Sequence, residues 1–338
     1  MPLKISIIIP SFNQGKYIEE TILSVLNQND PFYELIVIDG GSSDQSVEII
    51  MKYAKYFAYW ISEKDSGQSD AINKGFKQAT GDIITWLGSD DLLREGSLAR
   101  VRSEFETSPD KTGVIFGSSQ IFKAGVDLHI DSGSRIQNVE RRLAGMAFPQ
   151  PSSFMKRKFV DVAGELNTDL HYGMDYDLFA RLSMLCDFKR VDFCFSRYRI
   201  HDESKSGGDF ENFNIEWIKI FNSVALGLNL DDALTKMKLL NLIMEPVPAT
   251  LEYFKNYKSS IKLDEELLSF FFISNVFFHS YLTGRFSRAR FLALYLNKHY
   301  SAKMKLLPDI ALIYNRSLKI PPFVLSTARS IKSLFSTK

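Results

Sequence analysis

GDIITWLGSDD, Gly81 to Asp91, is a glycine, an apolar run and two adjacent aspartates. Ile83 to Leu87 has the length and the β-branched, aromatic content of a buried strand. The chain should therefore leave a sheet at Gly88 and present Asp90 and Asp91 at the strand's carboxyl end. Open α/β sheets bind ligands at that edge. Two carboxylates side by side on a turn repel each other, and a hard divalent cation carried in on a diphosphate would neutralise both. An acidic turn that caps the next helix is the alternative, since Asp suits turns and N-caps.

Upstream, Gln68 to Thr80 carries Ala71, Ile72, Gly75, Phe76 and Ala79 on one helical face, with Gly81 placed to close the helix. Ile5 to Ile9, broken only by Ser6, and Leu35 to Ile38 are apolar runs, as expected of strands covered on both faces, and Ala58 to Ser62 reads as a third strand. Pro10 ends the first run, after which Ile18, Ile22, Val25 and Leu26 recur at helical spacing. Asp39 ends the second, Gly40 and Gly41 turn the chain, and Ser42 to Gln45 resembles a capping box before a helix through Val47, Ile50 and Ala54. Strand and helix alternate through short connections, which predicts an α/β protein with a mainly parallel, doubly wound sheet. Ser11, Asn13, Asp39, Asp90 and Asp91 then fall just past the carboxyl ends of their strands, along one edge.

Downstream, Leu92 to Thr107 reads as a helix, Gly113 to Phe122 as a strand and Lys123 to Arg135 as a hairpin or loop. The proline-punctuated FPQPSSF, Phe148 to Phe154, is non-helical and either lines a pocket or connects elements. Met155 to Val162 reads as a helix. In HYGMDYDLFARLSML, Leu178, Phe179, Leu182 and Leu185 form an apolar helical face. Asp175 stands just before that helix, and Asp177 is the better-placed cap, which leaves Asp175 to serve as a base. Phe188 to Ser196 reads as a strand, and Arg197 to Ser206 as a polar loop carrying His201. From Asn214 onward only helices are expected, around Ile215 to Leu228, Asp231 to Met244, Asp264 to Leu282 and Ser287 to Tyr300, with a glycine turn making an αα-hairpin near Gly284.

The 338 residues, 45% of them hydrophobic, allow a large core in two domains or in one domain with an extension. A net charge of +1 gives no global field for nucleic acid. From Gly284 onward, however, eleven Lys and Arg face the single acid Asp309, so the first 283 residues carry −9. Basic residues interleaved with Phe, Leu, Ile and Tyr suit a surface helix on anionic lipid, or a solvated helix packed on the protein. Cys186 and Cys194 need no disulfide framework, which fits a reducing cytosol. The amino terminus lacks the apolar region of a signal peptide. Leu267 to Leu282 is shorter than a bilayer span and contains Asn275 and His279, so no transmembrane helix is expected.

Taken in order, PSFNQ (Pro10 to Gln14), DGGSSD (Asp39 to Asp44), EKDSGQSDAINKG (Glu63 to Gly75), GDIITWLGSDD, GMDYDLFARL (Gly173 to Leu182) and YRIH (Tyr198 to His201) resemble the family 2 glycosyltransferases of the GT-A fold. The nearest likeness is to the bacterial branch that builds O-antigen and capsular polysaccharide. The resemblance covers about residues 3 to 205. It implies a GT-A catalytic domain over residues 1–210, with a nucleotide-sugar half to about 110 and an acceptor half after it. Residues 211–338, which the resemblance does not cover, are expected to form a helical extension with a basic tail. The resemblance further implies a nucleoside diphosphate sugar, most often a UDP-hexose, held by Pro10, Ser11, Asn13 and Asp39, with Asp39 accepting from the base. Asp70, Asn73 and Lys74 would lie beside the nucleotide and sugar. Ser89, Asp90 and Asp91 match the metal motif with serine at its first position: Asp91 would hold Mn²⁺ or Mg²⁺, and Asp90 the ribose or donor sugar. His201 would sit on the metal or the diphosphate. Asp175 matches the catalytic base, with Met174 in place of the acid that usually precedes it.

The implied reaction is an inverting transfer to a hydroxyl of a glycan acceptor linked to a polyisoprenyl diphosphate, in the cytoplasm at the inner face of the cell membrane. A nucleotide-sugar-binding protein without transfer activity would use the same crevice, but the presence of both Asp91 and a candidate base weighs against it. A sugar-phosphate nucleotidyltransferase would need a glycine-rich, basic loop after the first strand, where this chain has SFNQGK.

Overall fold

A computed structural model describes residues 2–202, 204, 210–257 and 262–336. The end of the expected Arg197 to Ser206 loop, at Glu203, Lys205 and Ser206, lies outside the described residues. The chain forms two compact units, Met1–Gln137 with Met146–Gly208, and Asn138–Gly145 with Asp209–Lys338.

In chain order the elements are β1 (Ile5–Ser11), α1 (Ile18–Leu26), β2 (Tyr33–Asp39), α2 (Ser46–Tyr53), β3 (Tyr59–Ser62), α3 (Gln68–Gln78), β4 (Ile83–Trp86), β5 (Leu92–Leu93), α4 (Ser97–Glu106), β6 (Thr112–Lys123) and β7 (Val126–Asp131). There follow α5 (Val139–Leu143), which belongs to the second unit, then β8 (Ser153–Lys156), α6 (Arg157–Ala163), α7 (Met174–Leu182) and β9 (Asp187–Arg199). The strands form one mixed sheet in the order β3, β2, β1, β4, β8, β6, β9, β5, with β7 on β6. The first four are parallel, as the alternation of strand and helix predicts. In the other half β6 and β9 are parallel, whereas β8 is antiparallel to β4 and β6, β7 to β6 and β5 to β9, which departs from the expected parallel plan. Ile5, Ile7, Ile9, Leu35, Val37 and Ile83 are fully buried with Ile18, Ile22 and Val25 of α1. That core fixes the sheet edge on which the polar turns sit.

Several elements differ locally from expectation. Pro10 lies inside β1 instead of ending it; β4 pairs only with Ile5 to Ile8, so no partner strand requires the missing N–H of Pro10. Ser42 forms no capping box, because its hydroxyl donates to Asp39 Oδ1 at 2.5 Å and α2 starts only at Ser46. Gly81 does not close α3, which ends at Gln78. A Cβ at Gly81 would come within 2.6 Å of Ser6 Oγ and 2.8 Å of the Lys4 carbonyl. Leu92 and Leu93 are drawn out of the expected helix into pairing with Arg197 and Ser196, and Gly96, at φ +75°, starts α4 afterwards. Met155 is a buried strand residue, and its helix begins at Arg157. Phe148 stacks on Phe116 at 4.3 Å, and a 3₁₀ turn at Gln150–Ser152 leads into β8.

At the amino ends of these strands Glu34 is a buried carboxylate. It accepts from Ser6 Oγ at 2.5 Å, Thr80 N at 2.6 Å, Thr80 Oγ1 at 2.9 Å and Lys4 Nζ at 2.6 Å. Burial pushes its pKa up, but these hydrogen bonds outweigh burial and hold it at about 2.

The second unit continues with α8 (Phe210–Gly227), α9 (Asp231–Leu239), α10 (Pro248–Lys255), α11 (Glu265–Leu282), α12 (Phe286–Tyr300), α13 (Ala311–Lys319) and α14 (Pro322–Ser336). α9 stops short of Met244, and Asn241 is left-handed at φ +53° just beyond it. The expected hairpin is present, with Gly284 at φ +78° between α11 and α12. α11 supplies the core: Phe270, Phe271, Phe272 and Phe277 are buried, and Phe272 stacks on Phe221 at 3.7 Å. α5 packs on this helix, with Asn275 Nδ2 donating to the Ala144 carbonyl at 2.8 Å and Asp264 N to Glu140 Oε1 at 3.1 Å. Burial drops the His279 pKa to about 4. No helix among the described residues is long and apolar enough to cross a membrane.

Candidate active site

Parallel pairing puts Ser11 opposite Asp39 at the carboxyl ends of β1 and β2. Asp39 is fully buried; its Oδ2 accepts from Gly41 N at 3.1 Å, Ser42 N at 2.9 Å and Ser62 Oγ at 2.7 Å. Gly41 allows this wrapped turn through a φ of +82°. Asn13, itself left-handed at φ +53°, accepts from Ser43 N at 2.9 Å and donates its backbone N–H to Ser42 Oγ at 2.8 Å. The two turns are thereby locked together. Ser11 Oγ is buried and has no hydrogen-bond partner among the described residues, a polar atom left for a ligand.

β4 lies on the other side of β1, so the Gly88 to Asp91 turn opens onto the same edge. The turn is closed by Asp91 N donating to the Gly88 carbonyl at 2.9 Å and is held from α1 by Thr21 Oγ1 on the Ser89 carbonyl at 2.9 Å. Arg199, at the end of β9, holds it from the other side. Its backbone N donates to Asp91 Oδ1 at 2.9 Å, its Nε to the Asp90 carbonyl at 2.8 Å and its Nη2 to Glu20 of α1 at 2.6 Å. The guanidinium stacks between Tyr17, at 4.9 Å, and Phe122, at 4.6 Å. His201 Nε2 is 2.9 Å from Asp90 Oδ2, while its buried Nδ1 has no partner among the described residues. His201 is thus set against Asp90, next to Asp91 in the chain.

Asp70 accepts from Ser66 N at 3.1 Å, and Lys74 bonds Glu63 at 2.8 Å with Asp70 at 3.7 Å. Asn73 is a clamp: its Nδ2 donates to the Leu166 carbonyl at 2.9 Å and its Oδ1 accepts from Leu166 N at 2.8 Å, so both ends of the amide tie α3 to the loop before α7. α3 can lie close on β1 because Gly75 faces Ile8, where a Cβ would collide. Asp175 is the second residue of α7, inside the helix and not before it, and Tyr176 N donates to its Oδ1 at 2.7 Å. Asp177, the fourth residue of α7, is buried and paired with Arg181 at 2.8 Å.

Among the described residues no three His, Cys, Asp or Glu side chains converge into a metal site on their own. The acidic turn nevertheless fits a cation shared with a substrate. A Cβ on Gly88 would sit 2.8 Å from Asp90 Oδ1 and 3.0 Å from Asp91 Oδ2, so the glycine leaves a gap beside both carboxylates. Burial, and after it the charge of Asp90, pushes the Asp91 carboxyl well above the usual carboxylate range. A Mg²⁺ or Mn²⁺ that takes its other ligands from phosphates and water would favour the charged form of both carboxylates. Sequence reasoning missed Thr21, Glu20 and the Arg199 side chain. Arg199 lies within the YRIH motif, but Glu20 is 179 residues away and no local signal joins them.

The sheet, with its polar turns on the edge of a parallel half, defines a nucleotide-binding α/β domain of the GT-A type. Residues 6–160 match the family model for glycosyl transferase family 2. It is 34% identical over 116 residues to a glycosyltransferase of Nostoc sp., covering 33% of this chain and 36% of the relative. It is 29% identical over 185 residues to one of Mycobacterium tuberculosis, covering 54% of this chain and 70% of the relative. To chondroitin synthase of Escherichia coli it is 28% identical over 205 residues, covering 60% of this chain and 30% of the relative. The chain thus spans little more than a third of the Nostoc protein. Its fold is similar to that of S. aureus TarS 1-349 in complex with UDP-GlcNAc, with a TM-score of 0.55 at 17% identity, covering 82% of this chain and 81% of that one.

Proposed function

We propose that this chain is an inverting glycosyltransferase that moves a sugar from a nucleoside diphosphate sugar to a hydroxyl of a glycan acceptor in bacterial surface polysaccharide synthesis. The observation that carries the proposal is the gathering of Ser11, Asn13, Asp39, Asp90 and Asp91 on one edge of a domain that matches the family 2 model. The UDP-GlcNAc in the TarS complex supports a UDP-hexose donor, and relatives named for chondroitin and poly-β-1,6-N-acetylglucosamine synthesis support a polysaccharide product.

In this reading Pro10, Ser11, Asn13 and Asp39 hold the nucleotide. Ser11 Oγ is available to it, and Asp39 Oδ1 retains a lone pair beyond the Ser42 bond. Asp70 and Lys74 line the donor side, and Asn73 acts through the Leu166 loop. Asp90 contacts the donor sugar or ribose, and Asp91, with His201 nearby, holds the metal. A bound Mn²⁺ or Mg²⁺ would supply charge neutralisation for the departing diphosphate. Asp177 is committed to Arg181, which leaves Asp175 as the acid assigned to take the proton from the acceptor hydroxyl. The acceptor is carried on a polyisoprenyl diphosphate, and the reaction takes place at the inner face of the cell membrane.

Thermal stabilisation and donor hydrolysis with a panel of UDP-, GDP- and dTDP-sugars and Mn²⁺ test this reading. Stabilisation and slow hydrolysis by a UDP-sugar are expected. Stabilisation without turnover, even with acceptor, would instead identify a binding protein, and no response to any donor would remove the proposal.

A further inference from the structure

The basic carboxyl-terminal stretch spends some of its cations internally. Arg285 pairs with Glu211, and Lys303 with Glu266 at 2.9 Å. Arg290 Nη1 reaches the carbonyls of Ser317 and Leu318, each at 3.0 Å, and Arg329 Nη1 reaches that of Leu282 at 2.6 Å. Lys298, Lys305, Arg316 and Lys319 are exposed and make no ion pair among the described residues.

α12 and α13 lie side by side, joined by Arg290 at one end and by Tyr314 Oη on Asn297 Oδ1 at 3.2 Å at the other. Leu292, Ala293, Leu296, Tyr314 and Ser317 are buried, so the opposite stripes face outward. On α12 the outward stripe is Phe291, Leu294 and Lys298, and on α13 it is Leu312, Arg316 and Lys319, each at helical spacing. Phe323 follows at the start of α14. Phe291 is 52% exposed, Leu312 62% and Phe323 72%, which is costly for large apolar groups unless another phase receives them.

From this pattern we infer that the outward faces of α12 and α13, with the first turn of α14, form a docking surface for an anionic lipid bilayer. Unpaired cations match the headgroup phosphates, and the apolar side chains between them match the acyl boundary. A second copy of the same face would set like charges against each other, which disfavours self-pairing. The inference deepens the reading of a membrane-carried acceptor and rests on that reading for its purpose, whereas the binding itself does not require it.

The test uses the full chain, without donor, sedimented with phosphatidylcholine vesicles that contain or lack phosphatidylglycerol. Binding is expected only with phosphatidylglycerol, falling as salt rises. Arg316→Ala with Lys319→Ala should weaken it about 25-fold, at about one kcal/mol per cation. Phe323→Glu should weaken it by at least as much, while the thermal midpoint and the stabilisation by UDP-sugar stay unchanged. Equal binding to neutral vesicles, unaltered binding by these variants, or a concentration-dependent dimer lost in Phe323→Glu with no vesicle binding would each overturn the inference. Vesicle binding by a chain that hydrolyses no donor would keep this surface and discard the enzymatic reading.

Discussion

Arg199 donates its backbone N–H to Asp91 Oδ1 at 2.9 Å and its Nε to the carbonyl of Asp90 at 2.8 Å. One residue therefore fixes the side chain of one aspartate and the backbone of the other. Through Glu20 it ties both to the helix that follows the Ser11 turn.

Arg199→Lys keeps the charge but cannot reproduce the fork of Nε and Nη2 contacts. With a charged hydrogen bond worth about 1.5–3 kcal/mol, the donor KM should rise roughly 10- to 100-fold. The thermal midpoint should change little by comparison, and steady-state kinetics beside a melting curve separate the two effects.

Asp175→Asn removes the proton acceptor and leaves the nucleotide turns intact. Turnover should fall about 10²- to 10⁴-fold while UDP-sugar still raises the melting temperature. Wild-type turnover in this variant would take the base role away from Asp175.

Gly88→Ala adds a methyl group into the gap between Asp90 and Asp91. It should abolish Mn²⁺-dependent thermal stabilisation by UDP-sugar. Far-ultraviolet circular dichroism should remain that of the parent, because Gly88 has no left-handed backbone requirement. Chelation with EDTA should produce the same loss in the parent protein.

Glu34→Gln tests the amino-terminal edge of the sheet. A folded pKa of about 2 against the ordinary 4.5 means that the stabilisation is complete above 4.5 and fades as pH falls towards 2. The pair of values corresponds to about 3 kcal/mol. Urea unfolding should therefore show a deficit in the variant at pH 7 that narrows at pH 3.

His279 is held neutral by burial, with a folded pKa of about 4 against the ordinary 6.5. The unfolded chain takes up that proton first, so stability is lost as pH falls from 6.5 to 4. His279→Gln should flatten the dependence of unfolding free energy on pH in that window by about one proton.

The parallel half of the sheet was legible because strands buried on both faces are apolar nearly throughout, as Ile5 to Ile9, broken only by Ser6, and Leu35 to Ile38 are. Turn chemistry then marked where Asp39, Asp90 and Asp91 leave the strands. β8 was hidden because its four residues adjoin a helix and become a strand only between β4 and β6, partners distant in sequence. The same holds for the ends of Pro10's strand and for Leu92–Leu93. The resemblance put Asn73 beside the nucleotide and sugar, and only the fold shows both ends of its amide bonded to Leu166. The Asp177–Arg181 pair is a similar case: Arg181 is local, but burial of the pair is not visible in the spacing.

α5 is encoded between β7 and β8 yet packs with helices from the far end of the chain, so the polypeptide passes from one unit to the other three times. A single break near residue 209 would not separate them. It would strip Leu143 and Ala144 of the neighbours that bury them and leave a greasy remnant on the amino-terminal fragment. The carboxyl-terminal helices are accordingly not a cassette that recombination can swap at one junction; the two units are inherited together or lost together.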